Sequence, residues 1–154
     1  MTQEDKRYLQ EKLSLQRDKE LLLKDLCARL PYGVKCYNEF SEKICELAAI
    51  EADREGVLLC FWDKRKMFYH QKTYIREVRP YLLPLSSMTE KQKEEYHYIV
   101  NYISPDDTEN WAEGEFVYVN QIEQLLHFYH TNHLDYRGLI PEGLAINATG
   151  LNIY

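Results

Sequence analysis

Three imidazoles crowd one stretch near the end of the sequence: His127, His130 and His133. His127 and His130 are three residues apart and share a helix face. His133 follows just past the predicted helix end, with Asp135 two residues on. Neutral imidazoles beside a carboxylate suit zinc or another borderline metal, and this is the pattern a metal-dependent enzyme would use. Against it, the spacing is not H-E-x-x-H and no flanking Glu is placed as a base. The plainer reading, and the favoured one, has these histidines at a helix C-terminus, where a cation meets the dipole and the free carbonyls.

A second chemistry-bearing stretch is basic and aromatic, running from Phe61 to Lys72. Lys64, Arg65, Lys66 and Lys72 would meet phosphates, and Trp62, Phe68 and Tyr69 would stack on bases, as small nucleic-acid-binding barrels do. Residues 60–83 hold 6 Lys/Arg against 2 Asp/Glu, whereas residues 84–154 hold 3 against 11 and the whole chain is −6. An acidic surface repels bulk nucleic acid, so a charged hairpin tip is the favoured reading of this stretch.

Cys36, Cys45 and Cys60 would approach one another in a small sheet, and three thiolates with a histidine make a zinc site. Their positions are mid-strand rather than in tight knuckles, so they read as small core hydrophobes, and Cys27 with them as a free thiol. No base or helix N-terminus is placed to activate any of them as a nucleophile. Arg137 reads as the partner of a carboxylate from the acidic half, fixing the C-terminal segment. The acidic run 106–109 lacks a calcium-loop pattern. A Gly-rich phosphate loop and a G-x-S-x-G elbow are both missing from the sequence. The chain therefore reads as a non-enzyme, with no cofactor expected.

The elements that position these residues follow from periodicity. Residues 2–30 read as one helix, started by Thr2 with Asp5 three places on and stopped by Pro31. Its second half carries Leu22, Leu23, Leu26 and Leu30 at core spacing, while its first half projects or pairs with another chain. Val34–Tyr37 and residues 43–49 alternate like a hairpin whose loop is 38–42, which sets Cys36 opposite Cys45 and Val34 opposite Leu47. Turns are expected at 53–56 and 63–66, around a strand at Val57–Trp62. Two more strands are expected at 67–70 and 73–78, and Pro80 and Pro84 bracket an exit from the sheet. A helix follows near 90–103, with a stripe of Tyr96, Ile99, Val100 and Ile103. A loop is expected at 104–109 and a short strand at 115–119. Asn120 then caps a helix with the stripe Ile122, Leu125, Leu126 and Tyr129. The tail 143–154 reads as a strand or a packed coil.

Three phrases carry a resemblance: residues 21–35 (LLLKDLCARLPYGVK), residues 79–89 (RPYLLPLSSMT) and residues 135–145 (DYRGLIPEGLA). In that order they resemble a family of small proteins of gut Bacteroides-type bacteria, their phages and mobile elements. The resemblance implies an accessory gene and no particular activity. Residues 1–20 lie outside it.

The expected fold is α+β: an N-terminal helix over 1–30, a small antiparallel sheet or SH3-like barrel over 31–85, and a helical part over 86–154 packed on the sheet. No apolar run approaches the roughly 20 residues of a membrane span, and the charged start is unlike a secretory signal. A cytoplasmic location is expected, without membrane contact. The expected partner is an unidentified protein, or a second copy through the N-terminal helix.

Overall fold

The computed structural model describes residues 2–52, 56–62, 69–101 and 111–154, with the side chains of 69–71 and 111–120 left aside. Helix α1 (Gln3–Arg29) opens on a complete capping box. Asp5 N–H donates to the Thr2 hydroxyl at 3.1 Å, and Thr2 N–H donates to the Asp5 carboxylate at 2.7 Å. A 3-10 turn over Leu30–Tyr32 follows, with Pro31 inside it, and Gly33 turns the chain at φ 66. A side chain would be strained in that left-handed conformation, so glycine suits the position.

Five strands follow: β1 (Lys35–Asn38), β2 (Lys43–Ala52), β3 (Val57–Trp62), β4 (Tyr69–Tyr74) and β5 (Val78–Leu82). Helices α2 (Glu90–Asn101) and α3 (Trp111–Thr131) come next, and the two-residue β6 (Ile146–Asn147) closes the order. The sheet is open, in the order β4-β3-β2-β1-β5-β6, antiparallel except for β5 with β6. Of the two expected forms, the open sheet is the one observed.

The hairpin register is the expected one. Cys36 pairs with Cys45, and Leu47 N–H donates to Val34 C=O at 3.0 Å. Asn38 makes the turn: buried, it accepts from the Phe40 and Ser41 amides and donates to Thr73 at 2.8 Å. The segment expected as strands 67–70 and 73–78 is divided differently. Tyr69–Tyr74 is one strand, and a 3-10 turn at Ile75–Glu77 redirects the chain into β5. Pro80 lies within β5 rather than outside the sheet. Glu39 N–H donates to Glu77 C=O, so odd-numbered residues of β1 exchange bonds with β5. Cys36–Pro80 is therefore a pair without such bonds, and the missing N–H of Pro80 leaves no gap in that ladder. Residues 115–119, expected as a strand, are helical, and Asn120 is interior to α3 rather than its cap. Their β-like composition yields to continuity with the helix downstream. The turns expected at 53–56 and 63–66 and the loop at 104–109 fall wholly or mostly outside the described residues.

The main core lies between one face of the sheet and the second half of α1: Leu22 and Leu26 meet Val34, Cys36, Leu47, Leu59, Phe61, Ile75 and Val78. Helices α2 and α3 pair with each other, where Ile99 and Phe128 join Leu134, Leu83 and Met88 beyond the end of β5. Among the described side chains of α3, Phe128 and His130 are buried, whereas Ile122 is 56% exposed.

Candidate functional site

The last turn of α1, the end of α3 and residues 133–140 meet in a buried polar junction. Arg29 and Asp25, four apart on α1, are both fully buried, with Nε to Oδ2 at 2.7 Å. Arg29 also donates to Leu134 C=O at 2.7 Å, and Arg137 Nε lies 3.3 Å from Asp25 Oδ1. Arg137 thus does pair with a carboxylate, but one from α1 and not from the acidic C-terminal half. Burial pushes the Asp25 carboxyl up, against the pull of Arg29 and then Arg137. Both guanidiniums lie over the Tyr136 ring, at 5.5 and 4.8 Å, and that ring stacks on Tyr129 at 4.8 Å. Asp135 accepts from the Leu139 and Ile140 amides, each at 2.8 Å, and so shapes the turn that follows.

The three histidines border this junction, each with its own partner. His127 Nδ1 meets the Tyr32 hydroxyl at 3.1 Å, and His130 Nε2 meets the Tyr136 hydroxyl at 2.9 Å. His133 lies flat on Tyr154, centroids 3.6 Å apart. Among the described residues no group of three or more His, Cys, Asp or Glu is placed to hold a metal ion. Burial first, and then the Arg29 charge, lower both His130 and His133 to about 4. They are neutral near pH 7, so the dipole-facing cation expected of them is not what they supply. His133 instead makes the helix stop. Its φ is 52, its N–H donates to His130 C=O, and Leu134 N–H donates to Tyr129 C=O. That is a Schellman ending with histidine where glycine is usual.

Tyr154 extends the junction to the sheet. Its hydroxyl accepts from Lys35 N–H at 3.2 Å and donates to Tyr81 C=O at 2.8 Å. Residues 35 and 81 are the next pair in the β1–β5 ladder, so the hydroxyl bridges two backbone groups that would otherwise bond each other. Nothing in residue spacing signals this. The Asp25–Arg29 pair was missed, and its signal was opposite charges at i, i+4 on the face that holds Leu22 and Leu26.

The basic stretch is only partly in view. Lys64, Arg65, Lys66 and Phe68 lie outside the described residues, as does the Tyr69 side chain. Trp62 is half-buried at the end of β3, and Lys72 Nζ is 2.6 Å from Glu51. Of the cysteines, Cys36 and Cys60 are buried, Cys45 is half-buried and Cys27 is exposed; Cys60 stands across from Ala49 on β2 rather than beside the other pair.

The first half of α1 is a different kind of surface. Residues 3–17 are all exposed, including Tyr8 (66%), Leu9 (45%), Leu13 (70%) and Leu15 (65%). Where the helix meets the sheet, an open cleft of about 390 Å³ has an apolar floor of Leu22, Ile75, Val78 and Leu144, with Leu15 and Lys19 on its helical wall. Among the described residues no helix is long and apolar enough to cross a membrane. In comparisons with known proteins, no family model, curated protein or solved structure matches the chain.

Proposed function

We propose that this protein is a non-catalytic accessory or adaptor protein that acts by protein–protein contact, through the projecting half of α1. The observation that carries the reading is the exposure of Tyr8, Leu9, Leu13 and Leu15 on a helix segment that no other described element covers. An isolated helix of roughly 15 residues is marginal in water, and a partner helix or groove would both stabilise it and remove those apolar groups from water. Leu15 lies on the Tyr8 side of the helix, away from Leu9 and Leu13, and there it borders the cleft on the body of the molecule. The titratable groups of the junction support the same reading, since each is engaged in holding elements together.

The test compares the full chain with a Leu9→Glu/Leu13→Glu variant. Light scattering after size exclusion measures self-association, and crosslinking followed by mass spectrometry maps contacts with any co-purifying protein. Contacts at residues 8–15 that disappear in the variant are expected. A monomer at every concentration, with no crosslink at residues 8–15 that the variant abolishes, would sink the proposal.

A further inference from the structure

We propose that Cys36 and Cys45 are a redox pair that closes into a reversible cross-strand disulfide on meeting a low-molecular-weight disulfide such as oxidised glutathione. The β1–β2 register sets the two residues directly opposite each other. The bond from Leu47 N–H to Val34 C=O marks residues 34 and 47 as a hydrogen-bonded pair, and the alternation makes 36 and 45 another. Cα atoms in such a pair lie about 5.5 Å apart, inside the range that a disulfide spans, while the Cβ atoms, about 5 Å apart, must close by up to about 1 Å to form the bond. Directly opposed residues of antiparallel strands also point to the same face. Cys36 belongs to the core cluster under α1, and Cys45 packs against its edge. The other two cysteines have no opposed thiol: Cys60 faces Ala49 and Lys72, and Cys27 is exposed on α1.

The two positions divide the chemistry. Cys36 is fully buried and Cys45 is half-buried, so a small disulfide meets Cys45 first. The Cys45 thiol gives its proton to solvent and its sulfur attacks one sulfur of the oxidant. The S–S bond of the oxidant breaks, one glutathione thiolate leaves, and a mixed disulfide remains on Cys45. Cys36 then loses its proton and attacks the Cys45 sulfur, expelling the second glutathione thiolate. Two protein thiols are oxidised and one glutathione disulfide is reduced to two thiols. Burial raises both cysteines above the ordinary thiol range, so closure is slow near neutrality and accelerates as pH rises.

The experiment incubates full-length protein carrying Cys27→Ser, which removes the exposed thiol, with oxidised glutathione at about pH 8. Free thiols are then alkylated and peptides mapped by mass spectrometry. The expected product is a peptide pair linked through Cys36 and Cys45, lighter by about 2 Da and reopened by reduced glutathione. Adding Cys36→Ser should stop the reaction at one glutathione on Cys45. Adding Cys45→Ser should leave Cys36 unmodified. Should the buried Cys36→Ser variant not fold, the Cys45→Ser variant, altered at the core's edge, still decides. A mixed disulfide that persists on Cys45 in the Cys27→Ser protein overturns the proposal. So does the absence of any reaction, or a Cys36 that reacts equally well without Cys45.

Discussion

Over residues 3–16 helix α1 presents every side chain to solvent, while between residues 22 and 29 the same helix buries Leu22, Asp25, Leu26 and Arg29. The first segment is held by local terms alone. These are the Thr2–Asp5 capping box, worth about 1 kcal/mol, and surface pairs such as Gln16–Glu20 at 2.6 Å, worth a few tenths each. Arg17, bonded to Asp18 and to Glu142 across the chain, marks the boundary. The second segment is held by burial, and it takes two opposite charges out of water to do so. One continuous helix is thus a folding element at one end and an uncovered surface at the other.

The largest expected effect lies in the buried half. Arg29→Met leaves Asp25 buried without its nearest counter-charge and leaves Leu134 C=O without its donor. It should cost about 3–5 kcal/mol in urea unfolding, whereas Asp25→Leu with Arg29→Met should recover most of that loss. A single variant within about 1 kcal/mol of wild type would mean that the two halves of α1 are held alike.

Acid should distinguish the halves next. His130 and His133 are lowered to about 4 in the folded chain, while the unfolded chain binds a proton on each near pH 6.5. Between these values the unfolded state holds more protons, so stability is complete above about pH 6.5 and falls as pH drops toward 4. Each histidine should contribute on the order of 2 kcal/mol to that fall. Burial moves Asp25 the other way, so the histidine part is isolated by variants. His130→Gln and His133→Gln should each flatten the slope of the urea midpoint between pH 7 and 4.5. An unchanged slope in both would show that the junction titrates like the exposed half. No such slope is expected from the projecting half, which contains no histidine.

How far the sequence is legible follows the same division. Where burial has a period it could be read. The long helix stops at Pro31, the hairpin puts Cys36 on Cys45, and Val57–Trp62 is a strand. Where tertiary contacts override local preference it could not. Residues 115–119 have a strand-like composition and are helical, and Pro80 fits within β5 because the Cys36–Pro80 pair exchanges no bond. The histidines drew attention by spacing, but their partners come from far away. Tyr32 comes from the turn after α1, Tyr136 from the segment after α3, and Tyr154 from beyond β6. Of the junction, the pairing of Arg137 with a carboxylate was read, while the i, i+4 charges Asp25 and Arg29 on an apolar face went unread. Residues 21–35, 79–89 and 135–145 supply Asp25, Arg29 and Tyr32, then Tyr81 and Leu83, then Asp135, Tyr136 and Arg137. All eight meet at or beside that junction.

A smaller effect probes the link between the junction and the sheet. Tyr154→Phe keeps the ring on His133 but removes the hydroxyl between Lys35 N–H and Tyr81 C=O. The loss should be about 1 kcal/mol, with faster amide exchange at Lys35 and little change at residues 3–16. Equal acceleration in both regions would mean that the whole helix answers to the junction.

The smallest expected effect on stability belongs to the exposed half, and it carries the functional proposal. Leu9→Glu with Leu13→Glu replaces apolar side chains that already face water, on a helix that also tolerates Glu. Folding free energy should change by less than about 0.5 kcal/mol, while any contact made through residues 8–15 is lost. Stability and association would then separate cleanly between the two ends of α1. If the double variant instead destabilises the fold by more than about 1 kcal/mol, residues 3–16 are docked on the body of the molecule in solution. Their apolar groups would then belong to this chain's own core, and no partner would be needed to explain them.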